Sequence, residues 1–184
     1  TGRITAVGAS NTKTVIVWAT NATGKKAGCV VTVVVPVTGV TLFSDSIVSG
    51  KLNFTIGNTP ILPVQLTANV APLNADNKNI TWTSSNVNVA TVSETGLVTA
   101  VGKGTAVITV TTADGSKKAT VTVNVAQQVT ELTLNYSEIE IGKTKSVTLI
   151  PTVLPVLANA KTLTWSVTGE GVTGITVVNG RVTV

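Results

Sequence analysis

The chain has 184 residues, of which 43% are hydrophobic and only 11% are charged. This balance excludes a disordered chain, and the length suits one large domain or two small ones. The net charge is +5, but Lys and Arg are not densely clustered and aromatic residues make up only 3%. Because a nucleic-acid interface normally combines a basic cluster with aromatic side chains, we expect a mildly basic solvated surface and no nucleic-acid partner.

Valine, isoleucine and threonine are abundant, which favours strands over helices. No uninterrupted apolar stretch reaches the roughly 18 residues that a membrane-spanning helix needs, so we expect no direct membrane insertion. The chain has no His, which removes the commonest general base and metal ligand. It also has no Met and therefore does not begin at a translation start, so we expect a processed product or a piece of a longer protein.

The first segment, residues 1–36, contains three predicted strands, Arg3–Val7, Thr12–Thr20 and Ala27–Val35. The last two are joined by the turn-forming residues Asn21–Gly24. Cys29 is the only cysteine and lies in an apolar run. It cannot form an intrachain disulfide, and we expect it to be a small buried hydrophobic side chain rather than a reactive thiol.

The second segment, residues 37–126, is the most regular part of the chain. Asp114-Gly115 between two alternating runs is a strong hairpin signal. Seven or more short strands in about 90 residues are typical of an antiparallel β-sandwich, and Trp82 is then expected in its core. The predicted strands are Val37–Phe43, Lys51–Ile56, Ile61–Val70, Asn79–Ser84, Asn88–Ser93, Leu97–Val101, Thr105–Thr112 and Lys117–Val125.

Pieces of this segment recur at both ends of the chain, about 85 to 95 residues apart. Thr1–Gly8 matches Thr95–Gly102, and Trp165 in the third segment matches Trp82. We therefore predict that residues 1–36 are the C-terminal part of a first domain. Residues 37–126 are predicted to form a complete domain, and residues 127–184 the N-terminal part of a third.

Pro72–Asn86, Val89–Val92 and Gly96–Ala106 together closely resemble the bacterial immunoglobulin-like domain of group 2. The resemblance implies an all-β fold of tandem immunoglobulin-like antiparallel β-sandwiches on long surface-exposed chains. Such domains occur in adhesins, S-layer and cell-wall proteins, secreted carbohydrate-active enzymes and phage virion proteins. It thus implies an extracellular or cell-surface location, with a virion as the alternative, and it brings no shared catalytic residues. The C-terminal copy departs from the pattern at Val156–Lys161 and Ser166–Gly171.

No group of residues predicts an active site or a cofactor. Glu138 and Glu140 share one face of a predicted strand, whereas a glycosidase pair must face each other across a cleft. The Ser84-Ser85 pair has no His partner. Gly102–Gly104 lacks the spacing of a phosphate loop and is expected to be a strand connection. Accordingly, we predict no catalytic and no cofactor-binding residues.

A polar loop around Asp76 has two interpretations. Asp76, Asn74 and Asn77 could supply oxygen ligands to Ca²⁺. We favour a polar turn whose side chains bond their own backbone, and we predict no metal ligand. Two adjacent lysine pairs, Lys25-Lys26 and Lys117-Lys118, are expected to be solvated charges at hairpin ends. Four Asn residues also fit the N-glycosylation pattern, which arises by chance in Thr- and Asn-rich chains: Asn21, Asn53, Asn79 and Asn135.

Two functions fit these features. The first is a structural spacer whose partners are neighbouring immunoglobulin-like domains of the same chain or adjacent subunits of a filament. The links Val35–Val37 and Val125–Val129 are short, so we expect limited bending between domains. The alternative is a binding module for a surface glycan or receptor, with Pro72–Lys78 and Ala113–Ser116 as the contacting loops.

The partial copies at the two ends also allow two explanations. Adjacent subunits could complete one domain between them by strand complementation. We favour a stretch of a longer repeat protein, because the strand after the glycine turn occurs at both ends and would be redundant in a shared domain.

Overall fold

The computed structural model describes residues 3–5, 14–57, 60–159, 161–169 and 174–184. Within these residues every regular element is a strand, and the sixteen strands form six small sheets. All strand pairs are antiparallel except the pair of Lys51–Ile56 with Lys118–Gln127, which run parallel. The all-β prediction is confirmed. In the same residues, no helix has the length and apolar character needed to cross a membrane.

The N-terminal hairpin consists of β1 (Thr14–Thr20) and β2 (Lys26–Thr32). Its turn is closed by Asn21, whose Oδ1 accepts the N–H groups of Thr23 at 3.0 Å and Lys25 at 2.8 Å. Asn side chains bond nearby backbone in this way, which explains their preference for turns. The prediction of a strand from Arg3 is wrong for Arg3–Thr5, which are irregular, and residues 6 and 7 lie outside the described residues.

Cys29 is exposed, so the expectation of a buried side chain is wrong. Both strands of the hairpin are exposed along almost their whole length. Among the described residues, β1 and β2 pack mainly on each other, and no second sheet covers either face. An apolar run fixes which side chains alternate, but burial of that face requires a second layer.

The central sandwich follows. Its nine strands are β3 (Gly39–Phe43), β4 (Lys51–Ile56), β5 (Val64–Gln65), β6 (Thr67–Ala71), β7 (Ile80–Ser84), β8 (Ala90–Val92), β9 (Leu97–Ala100), β10 (Gly104–Thr112) and β11 (Lys118–Gln127). A four-stranded sheet in the order β4-β11-β10-β7 faces a second layer formed by β5-β9-β8 and β3-β6.

The hydrophobic core lies between these two layers. On β10 the alternate side chains Ala106, Ile108, Val110 and Thr112 are at most 1% exposed, as the period of two predicts. Ala106 and Ile108 belong to the core cluster, whose other members come from β4, β11 and the facing layer: Leu52, Phe54, Leu66, Val89, Ala90, Val98, Val121, Val123 and Val125.

One predicted strand, Ile61–Val70, is in fact two. The chain changes sheets at Leu66, so that β5 pairs with β9 and β6 pairs with β3. Leu66 is 1% exposed, and its N–H donates to the carbonyl of Gly96 at 3.0 Å. Side-chain alternation continues through this point, which is why the pattern alone does not reveal the change of sheet.

Trp82 is half-buried and packs against the edge of the core cluster rather than at its centre. Gly96 lies beside it with a φ of +87°, and a Cβ at this position would be 2.8 Å from Cζ2 of Trp82. Gly180 repeats the arrangement, since its Cβ would be 3.0 Å from Cζ2 of Trp165. Only glycine fits a turn with this φ and such close neighbours.

The C-terminal unit contains two small sheets, one of two strands and one of three. The first consists of β12 (Glu131–Leu134) and β14 (Pro151–Leu154), and the second has the order β13 (Ser146–Thr148), β16 (Arg181–Thr183) and β15 (Thr176–Val178). Residues 161–169 are irregular, whereas the matching segment around Trp82 is strand β7. In the central sandwich Trp82 is paired with Val110 of β10, and no strand of the described C-terminal unit plays that part.

Candidate functional site at the module junctions

Two hydrogen bonds join the segment after the N-terminal hairpin to a loop of the central sandwich. The N–H of Val35 donates to Oδ2 of Asp76 at 2.7 Å. In return, the N–H of Asp76 donates to the carbonyl of Val35 at 3.0 Å. We call this reciprocal pair the first clamp. It fixes the backbone of Val35 against the loop in both donor and acceptor directions.

The loop that carries Asp76 is itself held in place. The N–H of Ala75 donates to the carbonyl of Pro72 at 2.9 Å, and the Ala75 side chain is 6% exposed. On the other side of the loop, the N–H of Thr38 donates to the carbonyl of Ala71 at 2.8 Å. The carboxylate of Asp76 is therefore presented by a short, anchored loop rather than by a free side chain.

A second carboxylate holds the same linking segment. Asp114, in the turn between β10 and β11, accepts the N–H of Val37 on Oδ2 at 2.8 Å. Val35 and Val37 flank Pro36, which has no N–H to donate. Both available N–H groups of the segment 35–37 thus bind aspartates of the central sandwich, and Val37 is 4% exposed.

The turn that positions Asp114 depends on Thr112. The hydroxyl of Thr112 donates to the carbonyl of Asp114 at 2.6 Å and accepts the N–H of Lys117 at 2.9 Å. Thr112 is 1% exposed and is the buried polar side chain of this part of the core. Its hydroxyl satisfies two backbone groups of the turn that water would otherwise have to satisfy.

The same contacts recur between the central sandwich and the C-terminal unit. The N–H of Gln127 donates to Oδ1 of Asn159 at 2.6 Å, and the N–H of Asn159 donates to the carbonyl of Gln127 at 2.8 Å. We call this pair the second clamp. An amide oxygen here takes the place of a carboxylate oxygen, because either one accepts a backbone N–H.

The loop of the second clamp is anchored like the first. The N–H of Ala158 donates to the carbonyl of Pro155 at 2.9 Å, and Ala158 is 4% exposed. The N–H of Thr130 donates to the carbonyl of Leu154 at 2.9 Å, as Thr38 does to Ala71. In each loop the clamp residue follows a buried Ala and lies four positions after a Pro.

The loops predicted to contact a glycan or receptor, Pro72–Lys78 and Ala113–Ser116, are the loops that carry Asp76 and Asp114. Both aspartates bind the linking segment. Asn77 accepts the N–H of Asn79 on Oδ1 at 3.1 Å, as the polar-turn interpretation expects. In the described part of the chain, no group of three or more His, Cys, Asp or Glu side chains could hold a metal ion.

The remaining residues considered for catalysis either hydrogen-bond the backbone or are exposed side chains away from the junctions. The hydroxyl of Ser84 donates to the carbonyl of Ala90 at 2.7 Å, and that of Ser85 accepts the N–H of Val107 at 2.8 Å. Glu138 and Glu140 are both exposed. A cavity of about 240 Å³ in the C-terminal unit, lined by Leu134, Trp165 and five neighbours, has no charged side chain in its wall.

The sequence reasoning missed the roles of Asp76, Asp114 and Asn159 at the junctions. A signal was present for two of them. The spacing Pro-x-x-Ala followed by Asp or Asn occurs once in the central sandwich, at Pro72–Asp76, and once in the C-terminal unit, at Pro155–Asn159. A repeated oxygen acceptor at one position of a repeated loop indicates a repeated contact.

Comparison with known proteins shows which family this region matches. Residues 62–123 match the model of the bacterial Ig-like domain (group 2). A lacto-N-biosidase of Bifidobacterium bifidum is 50% identical over 90 residues, which are 49% of this chain and 8% of that enzyme. An alpha-L-arabinofuranosidase of Bifidobacterium longum subsp. longum is 34% identical over 137 residues, which are 72% of this chain and 12% of that enzyme.

Among solved structures, an intimin mutant of EHEC O157:H7 is similar with a TM-score of 0.36 and 19% identity, over 54% of this chain and 52% of that one. The matched region is only a small share of each of the two glycosidases, 8% and 12% of their lengths. The family match runs from just before β5 into β11 and so covers most strands of both layers of the central sandwich. The chain therefore contains a bacterial Ig-like domain of group 2, at residues 62–123 within the central sandwich.

Proposed function

We propose that this chain is a non-catalytic spacer, a row of Ig-like modules that holds an adhesive or carbohydrate-acting part of an extracellular protein away from a surface. The observation that carries the proposal is the recurrence of one clamp at both junctions. A spacer must keep its two ends at a fixed separation, which requires limited bending at the links between modules. Paired hydrogen bonds to the backbone of a short link restrict bending more than the link alone does.

The contacts within the modules support the absence of catalysis. The acidic and hydroxyl side chains closest to the junctions are engaged by backbone groups. The similar glycosidases match this chain over a small share of their own length, as expected if the similar region is an accessory domain in them. Their names make a carbohydrate-acting element one candidate for what the row carries.

We further propose that residues 1–36, 37–126 and 127–184 belong to three successive modules, with neighbouring Ig-like modules as their main partners. The first clamp joins residues on the two sides of the boundary at 36/37, and the second lies at the boundary at 126/127, where Gln127 ends β11 of the central sandwich. The second clamp holds the C-terminal unit at the end of β11, because Gln127 is the last residue of that strand. The next residue, Gln128, donates its N–H to the carbonyl of Ile56 in the central sandwich at 2.7 Å.

Small-angle X-ray scattering of the 184-residue chain tests the spacer proposal. We expect a pair-distance distribution with the long tail of an elongated particle. The Asn159→Asp variant, which keeps an oxygen acceptor at the second clamp, is the matched control for Asn159→Ala and should give the same curve as the unaltered chain. A compact, near-spherical particle would contradict the proposal.

A further inference from the structure

Trp18 lies on β1 of the N-terminal hairpin and is 59% exposed. Its cross-strand partner is Gly28. A Cβ at position 28 would lie 2.9, 3.0 and 3.1 Å from three successive ring carbons of Trp18, namely Cζ3, Cε3 and Cη2. Such nearly equal distances to adjacent carbons mean that the indole lies face-on over Gly28, so its other face is turned away from the hairpin.

The register of the hairpin shows which face Trp18 is on. Cys29 precedes the clamp residue Val35 by six positions, as Val121 precedes Gln127. The pair Val17 and Cys29 therefore corresponds to the pair Ile108 and Val121, which are 0% and 2% exposed in the core of the central sandwich. The face carrying Val17 and Cys29 is thus the core-type face of the repeat.

Trp18 is the next residue after Val17, so it points to the opposite, outer face. The corresponding pair in the central sandwich is Thr109 and Thr120, on the side of the sheet away from the core. At this one position of the repeat, a pair of threonines is replaced by a tryptophan resting on a glycine. Exposure of the outer face does not depend on whether another layer covers the core-type face.

The surroundings of the indole combine apolar and polar groups. On one side along the outer face is the pair Ile16 and Val30, which are 52% and 63% exposed, and on the other is the pair Thr20 and Lys26. A contiguous exposed apolar patch with polar groups at its rim is characteristic of a binding site. Lys26 is the single cation beside the ring, whereas a site for single-stranded nucleic acid requires a row of basic side chains.

We propose that Trp18, seated on Gly28, is a stacking platform for a pyranose ring of a neutral oligosaccharide. The flat apolar C–H face of a pyranose would pack on the indole, while Thr20 and Lys26 would hydrogen-bond hydroxyl groups at the rim of the sugar. This site is separate from the clamps, and it adds sugar binding to the spacer without depending on it.

NMR titration of the 184-residue chain with hexasaccharides of β-linked glucose, galactose and xylose tests the proposal. The reporters are the indole N–H of Trp18 and, in variants that lack this side chain, the backbone amides of the strands that carry the site. We expect at least one sugar to shift this resonance, with a dissociation constant on the order of 1 mM. Trp18→Ala should weaken binding by about tenfold or more, as loss of an aromatic stacking partner does. Gly28→Ala should weaken it as well, because the added Cβ displaces the ring while Trp18 remains.

Thr109→Trp combined with Thr120→Gly, placed on the outer face of the central sandwich in a Trp18→Ala background, should restore binding. Unchanged chemical shifts of the β1 and β2 backbone amides away from residue 18 would show that Trp18→Ala keeps the hairpin. The proposal is overturned if no hexasaccharide shifts the Trp18 resonance. It is equally overturned if Trp18→Ala binds as tightly as the unaltered chain, or if a thymidine decanucleotide or an added protein shifts the resonance and the sugars do not.

Discussion

Asn159 and Gln127 exchange two hydrogen bonds across the second junction, at 2.6 Å and 2.8 Å. Asp76 and Val35 exchange the same two bonds across the first, at 2.7 Å and 3.0 Å. The acceptor is charged at one junction and neutral at the other, yet the backbone partners are equivalent. The clamp thus requires an oxygen acceptor of the right length, and it does not require a charge.

The first prediction concerns this acceptor. Asn159→Ala should speed amide hydrogen exchange at Gln127, because its N–H loses the side-chain acceptor. The site is exposed, so we expect an effect of about 0.5–1.5 kcal/mol on local opening. Asn159→Asp should keep the protection, as Asp76 does at the first junction. Equal exchange rates at Gln127 in all three proteins would show that the side chain contributes nothing to the joint.

The second prediction concerns the other aspartate of the first junction. Asp114→Ala leaves the N–H of Val37 without its acceptor, at a residue that is 4% exposed. We expect a loss of about 1–3 kcal/mol in the free energy of unfolding measured with urea. Asp45→Ala is the control, since Asp45 is exposed and should change stability by less than about 0.5 kcal/mol. Similar values for the two variants would rule out this role for Asp114.

The third prediction concerns Thr112. Thr112→Val keeps the shape of the side chain but removes the hydroxyl that serves Asp114 and Lys117. Because the two backbone groups are then left unsatisfied, we expect a loss of about 1–3 kcal/mol. Thr120→Val, on an exposed face of the neighbouring strand, should be close to neutral. Urea unfolding compares them, and a neutral Thr112→Val would mean that water replaces the hydroxyl fully.

The fourth prediction concerns the glycine turn beside Trp82. Gly96→Ala places a Cβ 2.7 Å from the carbonyl oxygen of Leu66 in addition to forcing a φ of +87°. We expect a loss of about 3 kcal/mol or more. Gly50→Ala has a φ of +74° but open space around the added Cβ, so it should cost only about 1 kcal/mol. Thermal unfolding of both variants separates the cost of the steric clash from the cost of a positive φ at alanine. Equal losses of stability would show that the structure around residue 96 relaxes to relieve the clash.

Much of the fold follows from the sequence by local physical rules. Alternation on β10 predicts its buried face, and Asp114-Gly115 predicts the turn to β11. The change of sheet at Leu66 and the exposure of Cys29 do not follow, since both depend on which layer lies opposite. The contact of Asp76 with Val35 does not follow either, because the two residues are 41 positions apart and no local rule connects them.

If the clamps fix the orientation of successive modules, a distance distribution across the second junction shows it most directly. Cys29→Ser removes the native thiol, and Glu94→Cys and Glu138→Cys place exposed spin-label sites in the central sandwich and the C-terminal unit. Double electron–electron resonance should give a narrow distribution that broadens when Asn159→Ala is added and stays narrow with Asn159→Asp. A distribution without the added change that is as broad as the one with Asn159→Ala would contradict the account.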